Sequence, residues 1–152
     1  MGRSKEVTDE QRIARLQPFL DKWTPILSLT DWDITWQFVD SLVGGEGALA
    51  RVTPVLPYKR AHIRFVREAV DNAGVPIEAE TFIVHELCHL ITAPLWQVIG
   101  DELGEGGMST RLYAAIETIM DTFALGLQYA WYKEPRGVLY SPVLDDGEGD
   151  NK

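Results

Sequence analysis

Two of the chain's three histidines, His85 and His89, stand four residues apart in His85-Glu86-Leu87-Cys88-His89. On a helix, side chains at that spacing lie one above the other on a single face. Two stacked imidazoles can take two corners of a zinc tetrahedron. Glu86 follows the first histidine and points to the side of the pair. A carboxylate there is a base for a water activated by the metal, rather than a ligand. The flanking Phe82, Ile83, Val84, Leu87, Leu90 and Ile91 make the segment a mostly buried helix. Ionisable groups in such a helix are costly unless paired or bound to metal. An H-E-x-x-H string arises by chance in on the order of one chain in a few hundred of this size. The competing interpretation is a satisfied polar cluster in the core, and the apolar flanks favour the metal.

A catalytic zinc has three protein ligands and an open position, so one corner is still missing. An H-E-x-x-H-x-x-G-x-x-H motif would need glycine and histidine where Thr92 and Leu95 stand, and is excluded. His62, on a strand before the helix, stays open as a candidate. Glu117 is the stronger one. Glu117 and Asp121 are the only charges in the long apolar stretch from Ala114 to Ala124, one turn apart on one face. A bare buried carboxylate costs several kcal/mol, to order of magnitude. Glu117 on a metal and Asp121 hydrogen-bonded to a ligand imidazole would remove that cost. The alternative is a carboxylate pair reaching a solvated helix edge.

Together, His85-Glu86-x-x-His89 and Glu117-x-x-x-Asp121 resemble the gluzincin clan of zinc metallopeptidases. Small size, a preceding small sheet and a single domain resemble its smallest members, the minigluzincins, and small metallopeptidases of phages and bacteria. The resemblance covers roughly residues 32 to 132. It implies a zinc cofactor held by His85, His89 and Glu117, with Asp121 as the outer hydrogen-bond partner. Glu86 would take a proton from the attacking water and deliver it to the leaving amine. The oxyanion needs a donor. Tyr113, one turn before Glu117, is one candidate for it, with Arg111 and His62 as alternatives; Tyr113 as plain core or helix surface is the simpler reading. Substrates would be proteins or peptides, added as an extra strand to an exposed sheet edge. The segments 48–53 and 61–66 are candidates for that edge. Cys88 is turned away from both histidines and reads as a small buried apolar residue. Rival readings are a non-catalytic zincin-like module that binds protein around a structural or vestigial metal, and a zinc hydrolase of non-peptide amides.

The elements that must position these residues are legible in outline. Thr8 and Gln11 have capping-box spacing. Ile13, Leu16, Leu20, Trp23 and Leu27 then recur at helical intervals, with Pro18 and Pro25 expected to kink or divide the helix. Residues 33–40 alternate as a half-buried strand, 48–53 as a second and 61–66 as a third. Pro54 marks the second strand's end, or an edge. Residues 68–74 are a short helical turn. The central helix is expected from Ile77 or Glu78, with Glu78 and Glu80 in its first turn and Pro94 ending or kinking it. Residues 100–107 read as a flexible acidic loop, a lid or merely a connection. Ser109 or Thr110 caps a last helix running to about Tyr132. The expected fold is α+β and zincin-like. A small mixed or mostly antiparallel sheet of three to four strands packs on an N-terminal helix, the central helix and a C-terminal glutamate-bearing helix.

The 152 residues suit one domain, with flexible tails at 1–7 and about 143–152. Hydrophobic content of 45% and 24% charged residues describe a globular protein. The net charge of −9, with no basic stripe, argues against nucleic acid as a partner. The acidic tail can fold back on a metal or simply be solvated. A lone cysteine suits a reducing compartment. With no signal-peptide pattern and no apolar run read as long enough for a bilayer, the expectation is a cytoplasmic protein without a membrane partner.

Overall fold

The computed structural model describes residues 7–43, 48–73, 76–103 and 109–133, without the side chains of residues 76 and 77. The expected flexible tails at 1–7, Val7 excepted, and about 143–152, and the remainder of the 100–107 loop beyond Leu103, lie outside the described residues.

Helix α1 spans Asp9–Ile26. Its start is fixed as expected. The Thr8 hydroxyl accepts from the Gln11 amide, while the Gln11 side chain accepts from the Thr8 amide at 3.0 Å. Leu16, Leu20 and Trp23 form its buried stripe. Of the two expected outcomes, a kink or a division, division does not occur: Pro18 and Pro25 both lie inside the helix. Each proline forfeits one backbone bond, and the buried stripe spans Pro18 and holds both sides against the core.

Strands β1 (Asp33–Val39), β2 (Ala50–Val55) and β3 (Arg60–Val66) form a mixed sheet in the order β1-β3-β2. β1 runs parallel to β3, and β2 antiparallel to it. Alternation decides the faces. Ala61, Ile63 and Phe65 are buried together with Phe38, and the intervening side chains turn to the opposite face. β2 lies two residues later than the sequence suggests, because Pro54 falls inside it. The Val66 amide donates to the Leu49 carbonyl at 2.9 Å. By ladder alternation, Leu49, Arg51 and Thr53 turn their backbone groups to β3, and Ala50, Val52 and Pro54 turn theirs to the free edge. Pro54 therefore costs no ladder bond. β3 is paired on both sides, so the expectation that 61–66 offers an open edge is corrected; of the two proposed edges, only β2 has one.

Helix α2 covers Arg67–Asn72, and α3 covers Pro76–Leu103. α3 runs through Pro94 and takes in residues 100–103, expected to be loop. Buried Leu90 and Ala93 keep the turns before Pro94 packed. Because α3 begins at Pro76, Glu80 is not a first-turn residue. It is buried between three helices, accepting from Lys22 Nζ at 2.8 Å, Trp23 Nε1 at 2.6 Å and the Tyr132 hydroxyl at 2.9 Å. Helix α4 spans Thr110–Tyr132, with the Ser109 hydroxyl accepting from the Leu112 amide at 3.2 Å. Lys133, in the left-handed region at φ 58°, closes it.

The result is an α+β fold with four helices and a three-stranded mixed sheet among the described residues. α3 is its axis and packs on α1, α4 and β2. Residues Glu78–Leu103 of α3 are long and apolar enough to span a bilayer by length and composition alone. That corrects the reading that no run reaches this length. With 44% of the window buried in the fold, the segment is equally the core helix of a soluble protein.

Candidate metal centre

α3 and α4 pack side by side, and their polar residues meet at one level. His85 and His89 project from α3, one turn apart, with Glu117 and Asp121 projecting from α4. His85 Nε2 lies 3.1 Å from His89 Nε2 and 3.2 Å from Glu117 Oε2, and His89 Nε2 lies 3.6 Å from Glu117 Oε1. A tetrahedral ion with arms of about 2.0–2.2 Å holds its ligand atoms roughly 3.3–3.6 Å apart. The spacings are close to that range, with Glu117 meeting His85 and His89 through different carboxylate oxygens, and the three residues form a group that could hold a metal ion.

Asp121 sets the tautomer. Its Oδ1 accepts from His85 Nδ1 at 2.8 Å. A carboxylate only accepts, so the proton sits on Nδ1. Nε2 then offers a lone pair toward Glu117, itself an acceptor. Two lone pairs facing one another at 3.2 Å need a cation between them: a metal ion, or in its absence a second proton on His85. Burial pulls the His85 pKa down, but the bonds to Asp121 and Glu117 outweigh it and push it up to about 10. Burial also works against the Glu117 anion. The bonds to His85 and His89 prevail and hold its carboxyl below the usual carboxylate range. Two imidazoles and one carboxylate are a donor set that could hold a metal ion.

Glu86 lies beside the pair and is 5% exposed. Burial raises its pKa, opposed by the two histidines and by a backbone bond from Val52. That amide is one of the free-edge groups of β2, so Glu86 bridges α3 to the sheet edge. Tyr113 is half exposed. Its hydroxyl pKa is raised by partial burial and then by the adjoining Glu117 carboxylate, so the expected oxyanion donor does border the site. His62 does not. Its Nδ1 is 2.9 Å from the Thr35 hydroxyl and its Nε2 3.4 Å from Gln37, out on the sheet. It is therefore removed as third ligand. Arg111 is exposed at the start of α4. Cys88 is 1% exposed, and burial pushes its thiol up to about 12, as suits a small apolar residue. The Val52 amide has no counterpart among the sequence expectations, because a backbone donor carries no residue signature.

A scan against models of protein families matched none, and searches of curated proteins and of solved structures returned no match.

Proposed function

We propose that the protein is a zinc-dependent metallopeptidase of gluzincin type, with His85, His89 and Glu117 as the metal ligands. The observation that supports this reading is the convergence of two imidazoles and a carboxylate from two helices in a group that could hold a metal ion, with Asp121 behind one of them. Zinc bound there supplies Lewis-acid polarisation of a carbonyl and acidifies a water. The remaining chemistry belongs to the chain. Buried Glu86, with its raised pKa, takes the proton of the attacking water and passes it to the leaving amine. The Tyr113 hydroxyl, beside Glu117, donates to the oxygen that gains charge. The free edge of β2 receives an extended peptide as a further strand. The proposed zincin-like kinship rests on this set: edge strand, H-E-x-x-H helix and glutamate helix in chain order. A cytoplasmic setting agrees with the single reduced cysteine.

Loss of cleavage when Glu86 loses its basicity separates this reading from a non-catalytic protein-binding module, in which Glu86 serves only to bond the Val52 amide. The test is Glu86→Gln. The variant should bind about one zinc per chain and lose peptide hydrolysis by at least about a hundredfold. Undiminished cleavage would remove Glu86 as the base. Wild-type protein that binds zinc yet cleaves neither peptides nor other amides would favour the binding module.

A further inference from the structure

The seam between α3 and α4 carries its polar contacts in a fixed order. His89 meets Glu117, and His85 meets Asp121. Thr81, one turn before His85, donates its hydroxyl proton to Gln128 Oε1 at 3.1 Å. Residue numbers fall along α3 as they rise along α4, so the helices run antiparallel and these contacts are successive rungs. The rungs recur every four residues on α3, and after four and then seven on α4, which keeps each set on one helix face. The Tyr132 hydroxyl on Glu80 continues the order at the end of α4.

Gln128 is the anomalous rung. It is 0% exposed, and its Nε2 is buried without a hydrogen-bond partner among the described residues. A buried amide bonded at one end only is destabilising, and an apolar side chain of the same shape is the cheaper occupant. What the amide adds is register. The buried residues that fall between the rungs, Val84, Cys88, Met120 and Ala124, are apolar or nearly so. Apolar packing of the right volume supports a fold before it specifies a single arrangement. A slide of one turn displaces a side chain by about 5.4 Å, and would leave both ends of the Gln128 amide unpaired in the core. A displaced Tyr132, partly exposed, can turn its hydroxyl to water. Gln128 cannot. Polar groups buried between helices fix register in this way, at a cost in stability.

We propose that Gln128, held by Thr81, is a positioning residue for the metal centre. It fixes the register of α4 against α3, and so the level at which Glu117 meets His85 and His89. This rests on the metal centre of the peptidase reading, and deepens it by naming the contact that aligns the ligands.

The test is Gln128→Met, which keeps the length of the side chain and removes the amide. Register is read in metal-free protein as the distance between spin labels on Gln97→Cys of α3 and Thr122→Cys of α4, both exposed sites, with Cys88 shielded by burial. Zinc affinity is read with a chelating indicator. Gln128→Met should add a second distance population, displaced by up to about 5 Å. Its zinc affinity should fall about tenfold, as it must if the aligned register drops to about a tenth of the molecules. Thr81→Val should change both readouts in the same direction, and stands in for Gln128→Met if that variant does not fold. Thr81→Ser, which keeps the hydroxyl, should match the wild type. Thr81→Val with Gln128→Met should go no further than Gln128→Met alone. A change in one readout without the other overturns the proposal and leaves the metal ligands as proposed. So does a lowered unfolding midpoint with register and affinity unchanged, which would make Gln128 a plain packing residue. Wild-type protein that binds no zinc overturns the metal reading instead. The spin-label distances then decide the register role alone: a displaced population supports it, and an unchanged one overturns it.

Discussion

In the proposed centre, the bond from His85 Nδ1 to Asp121 governs how protons and metal would be handled. It holds the imidazole in one tautomer and turns Nε2 toward Glu117 and His89. Removing the anion with Asp121→Asn should weaken zinc binding about 10- to 100-fold, measured with a chelating indicator. Unchanged affinity would show that Asp121 only fills space. The raised His85 pKa fixes two pH trends of opposite sign. In metal-free protein it lies near 10, against about 6.5 unfolded. The charged imidazolium therefore contributes stability fully below about pH 6.5, and that contribution is lost as pH rises through about 10. Metal must expel the same proton, so zinc affinity should climb about tenfold per pH unit below about pH 10. Titrations at about pH 6 and about pH 8 should differ by about a hundredfold, and a flat profile would contradict the paired proton.

At the scale of elements, the sequence was most informative where periodicity and capping agree. The Thr8 box, the Leu16, Leu20 and Trp23 stripe, the alternation of β3 and the Ser109 cap all stand as expected. It was less decisive at the prolines. Local propensity makes Pro18 and Pro94 sites of a kink or a break, and no break occurs: α1 continues past Pro18 and α3 past Pro94, while α1 ends one residue after Pro25. At Pro54 the edge alternative holds, because an edge strand tolerates proline wherever the missing amide would point away from its neighbour. Pro18 is exposed in the interior of α1, far along the chain from the metal ligands. Pro18→Ala should restore a helix bond and stabilise the fold by about 1–3 kcal/mol, with zinc affinity unchanged. Denaturant unfolding checks this, and a destabilised variant would mean that the proline matters for more than α1 itself.

For the whole molecule, the candidate ligands were readable from side-chain chemistry alone, since charges in an otherwise apolar helix demand partners. Their convergence was not readable. It depends on how α3 and α4 lie against one another, and on the Glu80 cluster that ties both to α1 through Lys22, Trp23 and Tyr132. Which of the two candidate segments offers the free edge was not readable either, because strand order is a property of the sheet rather than of any strand. This packing brings His85, His89 and Glu117 into a group that could hold a metal ion, which X-ray absorption at the zinc edge on protein loaded one-to-one would test. The expected spectrum has two imidazole nitrogens and a carboxylate oxygen at about 2.0–2.2 Å, and Glu117→Ala should alter it while weakening binding sharply. A sulfur ligand near 2.3 Å, or a spectrum and affinity indifferent to Glu117→Ala, would contradict the proposed centre.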